Sequence, residues 1–392
     1  MSIIPYSKQS ISADDIQAVK RVLKSDFLTQ GPKVPEFERA LARYFGTKYA
    51  ICCSSGTAAL HLAYSSLGAS PSSIAIVPAI TFAATANAFR YLGSDVIFCD
   101  VVPETGHICI HHLEKILSSI PKLKNDQKGF IAPVSFAGAI APLERCNQLA
   151  SRYNFQVIED ASHAVGAWTH NENGKKKVYA GACIHTQASC LSFHPVKHVC
   201  CGEGGAVLTN STETANTARK LRSHGIERPF DDEHDTPWYY QQVDLGWNYR
   251  MTDLQAALGM SQLSRIEDSL KSRKEMARRY IELLSVERFS GSILLPVFNE
   301  GHAWHLFIIR FCRAGMRNRA YKYLKSKHIH TQVHYIPVYK HPYYQTMHRD
   351  LQLSGSEDYF ESCLSIPMYS GLTLKQQNRV IAELDNFLAV EK

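Results

Sequence analysis

The sequence predicts an α/β protein whose mostly parallel sheet is covered by helices on both faces. Short, continuously apolar runs recur through the first two thirds of the chain, and helical patterns separate most of them. The runs are residues 49–53, 74–77, 96–99, 130–134, 157–158, 190–193 and 206–208, and the clearest intervening helices are 57–67, 83–92 and 142–153. Because parallel sheets bind ligands at the carboxyl ends of their strands, functional residues are expected there.

Two helices are predicted before the first strand of the sheet. Ser12 followed by Asp15 is a capping pair, and the helix after it has Ile16, Val19, Val22 and Leu23 as its expected apolar face. Pro35 is expected to open a second helix.

The last third of the chain follows a different pattern. Residues 225–246 are polar and aromatic and are expected to form a long loop, of the kind that is usually functional or mobile. A long amphipathic helical stretch, 252–285, then leads to strands at 305–311 and 330–334 and helices at 316–327 and 373–389. The expected organisation is a large domain over 1–250 and a smaller C-terminal α/β domain over 251–392, which begins with the connecting helix.

Composition excludes several classes of protein. The chain has 392 residues and a net charge of +7 that is scattered along it, without a nucleic-acid-binding motif, so no nucleic-acid partner is expected. No signal peptide is recognisable, and the most apolar window, 74–89, is too short and too interrupted to span a bilayer. Eleven cysteines without a CxxC pattern indicate reduced thiols. We therefore expect a cytoplasmic protein without membrane association.

Two residues suggest the chemistry. Lys197 lies in a loop after the apolar run 190–193, and Asp160 ends the run Ile158-Glu159-Asp160, with His163 close behind. A lysine that condenses with an aldehyde and an aspartate that keeps a pyridine nitrogen protonated are the two groups that a pyridoxal phosphate enzyme requires. Together they favour this cofactor over a solvated lysine and a simple helix cap.

The run 54–60, Ser-Ser-Gly-Thr-Ala-Ala-Leu, follows a strand and opens a helix. Gly56 allows close approach of the backbone, and the first amides of the helix point towards an anion, to which Thr57 can add its hydroxyl. The run lacks a Walker lysine and the spacing of a dinucleotide fingerprint. Phe82, after the next strand, could stack on a flat cofactor or belong to the core.

A metal site is an alternative interpretation of the residues around Lys197. His194 and His198 are four residues apart, with Cys200 and Cys201 nearby, but Pro195 opposes a helix there and no third carboxylate ligand is obvious. No metal is expected. Serine-hydrolase and cysteine-protease sites are also not expected, because their nucleophile motifs are missing.

Six segments resemble the DegT/StrS nucleotide-sugar aminotransferase family over nearly the full chain. They are residues 27–32 with 36–38, Ser55-Gly56-Thr57, 159–164, 192–197, 202–205 and 248–251. Residues 5–9 and 332–339 further resemble the branch of the family that serves pseudaminic acid synthesis. Cys200-Cys201 departs from relatives, which often have small hydroxyl residues there. Retention of Lys197 argues against the branch that replaces this lysine with histidine.

The resemblance implies the fold type I architecture of pyridoxal phosphate enzymes and a homodimer with active sites at the subunit interface. It also implies residue roles. Lys197 would bind the cofactor covalently, Asp160 would pair with its ring nitrogen, His163 would lie near the ring and Phe82 would stack on it. The implied phosphate contacts are Gly56, Thr57, Ala58 and Ser192, with Asn248 reaching in from the partner subunit. The implied sugar-nucleotide contacts are Tyr6, Asp26, Phe27, Leu28, Thr29, His334, Tyr335, Ile336, Pro337 and Tyr344.

The implied reaction is transamination of a UDP-linked 4-keto-6-deoxy-N-acetylhexosamine, with L-glutamate as amino donor. Two alternatives stay open at this point. One is amination of another keto position or of another nucleotide sugar, such as a dTDP-linked one. The other is a cofactor-binding regulator without turnover, against which the joint presence of Asp160, His163 and Lys197 argues.

Overall fold

The computed structural model describes residues 2–124, 126–170, 174, 176–227 and 238–391. The strands are β1 Tyr49–Cys53, β2 Ile74–Pro78, β3 Asp95–Cys99, β4 Gly129–Ile131, β5 Phe155–Asp160, β6 Trp168–His170, β7 Lys177–Tyr179, β8 Ala188–Ser192, β9 Gly205–Thr209, β10 Ile226–Glu227, β11 Gln241–Gln242, β12 Ile293–Leu294, β13 Phe307–Phe311 and β14 Cys363–Ile366. The α-helices are α1 Ala13–Leu23, α2 Lys33–Phe45, α3 Gly56–Ser66, α4 Ala84–Tyr91, α5 Ile110–Ser119, α6 Leu143–Tyr153, α7 Thr212–Arg222, α8 Asp253–Ser264, α9 Ile266–Leu284, α10 Met316–Ser326, α11 Pro342–Gln345, α12 Ser354–Ser362 and α13 Leu374–Val390. Two short 3-10 helices, Glu287–Phe289 and Val338–Lys340, complete the described elements.

Within the described ranges, seven strands form the central sheet in the order β1-β9-β8-β5-β4-β2-β3. All seven predicted apolar runs are strands of this sheet, and the predicted α/β class is confirmed. Strand β9 is antiparallel to both of its neighbours, whereas β2, β3, β4, β5 and β8 pair in parallel. Because β1 and β8 both oppose β9, the carboxyl ends of β1, β2, β5 and β8 lie at one edge of the sheet.

Helix α1 begins as predicted, but its buried face differs. Ser12 and Asp15 form a full capping box. Asp15, Ala18 and Val22 are the buried residues, whereas Ile16 and Leu23 are about 60% exposed. The prediction is therefore confirmed for Val22 and wrong for Ile16 and Leu23, because the small Ala18 and the hydrogen-bonded Asp15 face α8 in their place. Helix α2 begins at Lys33, two residues before Pro35.

The predicted helical stretch 252–285 is two helices, α8 and α9, which are separated at Arg265. Helix α8 contributes Ala256 and Leu263 to the core beside β1 and β9. Helix α9 contributes Met276 and Tyr280 to a separate apolar core around β13 and β14. The two helices thus belong to different cores. We call the elements around β13 and β14 the second unit, and the division after residue 250 stays a prediction.

The second unit contains the antiparallel sheet β12-β13-β14. Strand β13 and helices α10 and α13 match their predicted positions closely. The predicted strand at 330–334 was wrong, because only Gln332 makes a ladder contact, a single bridge to Ser365 of β14. Strand β14 was missed by the sequence pattern.

The predicted loop 225–246 contains a short ribbon in which β10 pairs with β11. Residues 228–237 of this loop lie outside the described residues.

Candidate active site

A large cavity of about 670 Å³ lies at the carboxyl edge of the central sheet. It is lined by residues that follow β1, β2, β5 and β8 and by the segment 332–336 of the second unit. The predicted site residues in its wall are Tyr6, Gly56, Thr57, Phe82, Asp160, His163, Ser192, Lys197, His334, Tyr335 and Ile336. Residues from distant parts of the chain therefore meet where a parallel sheet places a ligand site.

Lys197 lies in the turn after β8, where its backbone amide donates to the His194 carbonyl at 2.9 Å. Its side chain is partly buried in the cavity wall. Burial lowers the pKa of Lys197 to about 8, and the charge of Asp160 acts in the opposite direction. The uncharged, nucleophilic amine is therefore far more populated near neutral pH than it is in an ordinary lysine.

Asp160, the last residue of β5, is 5% exposed and is held by two donors. The Thr85 hydroxyl donates to Oδ2 at 2.7 Å, and the Ser162 amide donates to Oδ1 at 3.1 Å. Thr81 in turn lies 2.8 Å from the Thr85 hydroxyl. These bonds fix the orientation of the carboxylate towards the cavity while leaving acceptor capacity on both oxygens.

His163 is buried, and its Nε2 lies 3.2 Å from the Tyr335 hydroxyl. The ring centroid of His305, from the second unit, lies 4.4 Å from that of His163. Burial, followed by the charge of Lys197, lowers the pKa of His163 well below its ordinary value, so the ring is neutral. Its Nδ1 has no partner in the described structure. The wall thus presents a flat, neutral ring with an unused polar atom.

The start of α3 forms the predicted anion pocket. Ser55 is the N-cap, and its hydroxyl accepts from the Ala58 amide at 3.1 Å. The Ala58 amide is used by Ser55, and Ala58 does not line the cavity. The amides of Gly56 and Thr57, which have no acceptor within the helix, are therefore the ones available to an anion. A Cβ on Gly56 would lie 2.8 Å from Ser192 Cβ, so only glycine allows α3 to approach β8 this closely.

Aromatic and imidazole side chains form the rest of the wall. Phe82 is 61% exposed, which excludes the core alternative for this residue. The His334 ring lies 5.6 Å from that of Tyr6, and its Nδ1 lies 2.7 Å from the Ser365 hydroxyl. Pro337 is buried beyond Ile336 and does not line the cavity.

Several predicted residues lie away from the cavity. Asp26, Phe27, Leu28 and Thr29 are exposed on the segment after α1, and Asn248 is exposed before α8. Tyr344 is only 2% exposed and lies in the core that α3 and α4 form with the central sheet. Its hydroxyl donates to Asn87 Oδ1 at 2.7 Å. Its predicted substrate contact does not agree with this position, because both its ring and its hydroxyl are occupied.

Three contributors were missed from the sequence. Thr85 orients Asp160, His305 packs against His163, and Glu203 lines the cavity. Glu203 lies in the segment 202–205, which resembles the family, so its place in the site could have been predicted from the sequence. Thr85 and His305 gave no such signal, since each becomes relevant only when distant segments pack together.

The sequence matches the DegT/DnrJ/EryC1/StrS aminotransferase family over residues 9–385. The chain belongs to this family. It is 34% identical over 378 residues to the UDP-4-amino-4,6-dideoxy-N-acetyl-β-L-altrosamine transaminase of Campylobacter jejuni, which covers 95% of this chain and 94% of the relative. Its structure is similar to Helicobacter pylori PseC, an aminotransferase involved in pseudaminic acid biosynthesis, with a TM-score of 0.88, 28% identity and coverage of 99% and 100% of the two chains.

The putative sugar aminotransferase Spr1654 of Streptococcus pneumoniae, known in a PLP form and a PMP form, is also similar. The PMP form gives a TM-score of 0.88 at 25% identity over 99% of each chain. The predicted fold type I architecture, the enzyme class and the cofactor are confirmed: this DegT/StrS member is a pyridoxal phosphate-dependent sugar aminotransferase. No helix in the described part of the chain is long and apolar enough to cross a membrane.

The wall of the cavity fits this cofactor. The amine of Lys197 is in part uncharged, the carboxylate of Asp160 has acceptor capacity left, and the narrow turn at Gly56 presents amides to a phosphate. Phe82 and His163 offer flat surfaces for an aromatic ring. The assignment of each residue to the cofactor stays a prediction.

Proposed function

We propose that this sugar aminotransferase transfers the amino group of L-glutamate to C4 of a UDP-linked 4-keto-6-deoxy-N-acetylhexosamine, in the synthesis of pseudaminic acid. The observation that carries the proposal is the meeting of Lys197 and Asp160 in one cavity of about 670 Å³. Its volume is within the range of small-molecule sites and leaves room for a sugar beside a cofactor. The name of the Campylobacter jejuni relative supports the choice of sugar.

Each residue has a definite task in this proposal. Pyridoxal phosphate, when bound, supplies a ring that withdraws electrons from the amino donor's α-carbon. Asp160, held by Thr85, keeps the proton on the pyridine nitrogen. Lys197 Nζ accepts the proton from the α-carbon of glutamate, and in the second half-reaction it returns a proton to C4 of the sugar. A pKa of about 8 suits both directions of transfer near neutral pH.

The binding roles follow the wall of the cavity. Gly56, Thr57 and Ser192 hold the phosphate at the start of α3, while Phe82 and His163 enclose the ring. Tyr6, His334, Tyr335 and Ile336 also line the cavity, and the sugar nucleotide would bind against them.

We further propose a homodimer in which the partner subunit completes each site. Ile16, Leu23, Phe27 and Leu28 are 48–60% exposed along α1 and the segment after it. Apolar surface of this kind is typical of a protein interface. Residues 26–29 of this segment are predicted to contact the sugar, yet they do not line the cavity of their own chain. The eleven free cysteines are consistent with a cytoplasmic enzyme.

The direct test is a panel of UDP- and dTDP-linked keto-sugars incubated with ¹⁵N-glutamate. Nitrogen-15 should appear at C4 of the UDP-linked 4-keto-6-deoxy-N-acetylhexosamine, as read by NMR, and the Lys197→Ala protein serves as the control. Amination at C3, or a preference for a dTDP-linked sugar, would replace the proposed substrate. Retention of all label in glutamate would contradict the choice of donor.

A further inference from the structure

Residues 2–10, which precede α1, are bound at both ends to other parts of the chain, and we call them the strap. At the start of the strap, the Arg379 guanidinium of α13 donates to the Ser2 carbonyl at 3.0 Å. At its end, Gln262 Nε2 of α8 donates to the Ser10 carbonyl at 2.9 Å. Because α13 packs in the second unit and α8 packs beside the central sheet, the strap links the two cores.

Ile4 anchors the strap in the second unit. Its side chain is fully buried in the apolar core around β13 and β14. Its amide donates to the His328 carbonyl and its carbonyl accepts from the His330 amide, each at 2.9 Å, which makes a parallel bridge to Ile329. An apolar side chain that is withdrawn from water and two backbone hydrogen bonds together fix the strap at this point.

Tyr6 follows this anchor by two residues, a span of at most about 7 Å of chain. Its carbonyl accepts from the Met368 amide at 2.9 Å, just after β14, and its ring lies 5.6 Å from that of His334 in the cavity wall. The backbone is thus held on both sides of residue 5. The Tyr6 hydroxyl has no hydrogen-bond partner in the described part of the chain, so it can bind a ligand of the cavity that this residue lines.

The groups that we assign to the cofactor are positioned by other elements of the fold. Asp160 ends β5 and is held by Thr85 of α4, and Lys197 lies in the turn after β8. At this turn the strap makes a long contact, 3.5 Å between the Ser7 hydroxyl and the Val196 carbonyl. A strap that loosens at its anchor therefore releases the wall residue that it carries, whereas the groups on the central sheet keep their supports.

We propose that the strap presents Tyr6 to the sugar nucleotide and that Ile4 is the positioning residue of this contact. Ile4 does not line the cavity, so it can act on the substrate only through the chain that it anchors. The inference rests on the proposed binding of the sugar nucleotide against Tyr6, but not on the identity of the sugar. It assigns Ile4 to the second half-reaction, in which the sugar is aminated, and not to the first, in which glutamate reacts.

Ile4→Ala in the holoenzyme tests this assignment, with Ile3→Ala as the matched control because Ile3 is 55% exposed. The KM is measured for the keto-sugar that the panel above identifies, and the half-reaction with glutamate is followed separately by absorbance. Ile4→Ala should raise the KM about tenfold, the scale of one lost hydrogen bond to a ligand, and should change the glutamate half-reaction less than about twofold.

The control should change neither quantity. Ile4→Val, which removes one methyl group and disturbs the fold less, should shift the KM in the same direction by a smaller factor. Equal losses in both half-reactions would reduce Ile4 to a structural role, and an unchanged KM would remove it from substrate binding. Either result would overturn the proposal.

A double-mutant cycle shows whether Ile4 acts through Tyr6. Tyr6→Phe removes the hydroxyl and keeps the ring, and it should raise the KM about tenfold. Adding Ile4→Ala to Tyr6→Phe should then have little further effect, because the contact that Ile4 positions is already lost. Increases in KM that multiply, or a normal KM in Tyr6→Phe, would contradict the proposal. Both outcomes are separate from the proposed function, which the position of the nitrogen-15 label tests.

Discussion

The residues that the sequence assigned to one active site lie in two different regions of the subunit. The inner region, around Asp160, His163 and Lys197, is enclosed by the central sheet and the second unit. The outer region, residues 26–29 with Asn248, is exposed and lies off the cavity. The inner region carries the chemistry within one chain, whereas the outer region can act on a ligand only if a second chain presents it.

The two regions are also held in different ways. Side-chain hydrogen bonds from Thr85 and Tyr335 fix the inner groups. In the outer region the backbone is fixed instead, through the bond of 2.9 Å from the Asp253 amide to the Leu28 carbonyl and through the bridge between Ser223 and Asn248. This difference predicts that inner substitutions affect chemistry and that outer ones affect binding across an interface.

The largest expected effect is that of Lys197→Ala. Loss of the amine to which we assign the proton transfer should reduce transamination by about 10⁴-fold, with the fold retained. Borohydride reduction of the wild-type holoenzyme should leave a cofactor-derived mass on Lys197, as peptide mass spectrometry can show. Label on another lysine, or turnover of the variant without an added amine, would contradict the role of Lys197.

The acidity of Lys197 can be measured separately in the cofactor-free protein. With a pKa of about 8, roughly half of this lysine is neutral at pH 8, against about 0.4% of an ordinary lysine with a pKa of ~10.4. A small amine-reactive reagent should therefore modify Lys197 about 100 times faster than exposed lysines at pH 8. The advantage should shrink as the pH rises towards 10, because the other lysines then also lose their protons. Equal rates at pH 8 would refute the lowered pKa.

Asp160→Asn tests the second inner residue. The substitution conserves shape, so the protein should fold, but the negative charge opposite the ring nitrogen is lost. We expect a decrease of about 100-fold in the half-reaction with glutamate, measured by stopped-flow absorbance. Thr85→Val, which removes one of the two donors that hold Asp160, should lower this rate by about tenfold. A near-normal rate in Asp160→Asn would show that another group serves the nitrogen.

A mixed dimer tests the outer region. If Asn248 acts in the partner's site, combining Lys197→Ala and Asn248→Ala subunits gives each heterodimer one site without either substitution. Random mixing in equal amounts should restore about a quarter of the wild-type activity, since about half of the dimers are mixed. No recovery after demonstrated subunit exchange would place Asn248 in its own subunit's site or outside any site.

The smallest expected effect distinguishes function from helix capping. Thr252, not Asn248, caps α8, with its hydroxyl accepting from the Gln255 amide at 3.2 Å. Thr252→Ala should cost about 1 kcal/mol in the free energy of unfolding. Asn248→Ala should change it by less than about 0.5 kcal/mol, because the side chain is exposed. Chemical denaturation measures both, and the opposite order would reassign the cap.

The sequence by itself determined the class of fold and the seven strands of the central sheet, and it placed Lys197 and Asp160 near the ends of two of these strands. These features are local, since they consist of continuous apolar runs and of the charged residues at their ends. They can therefore be recognised without knowledge of the packing. The position of Gly56 at the start of α3 could also be predicted from the sequence, because a turn between a strand and a helix is a local feature. The family resemblance supplied the roles of Tyr6, His334 and Tyr335, whose positions in the cavity wall the structure then showed.

Tertiary structure alone decided which residues share a space. The hydroxyl of Thr85 reaches Asp160 across 75 residues of sequence, and His305 meets His163 from the second packing unit. The exposed face of α1 was also beyond the sequence pattern, since Ala18 faces α8 in place of Ile16. The family resemblance assigned Tyr344 and Ala58 to the site, yet Tyr344 is a core residue and the Ala58 amide donates to the Ser55 hydroxyl. Except for the local bond between Ser55 and Ala58, each outcome depends on contacts between segments that are remote in the chain, and local patterns contain no information about such contacts.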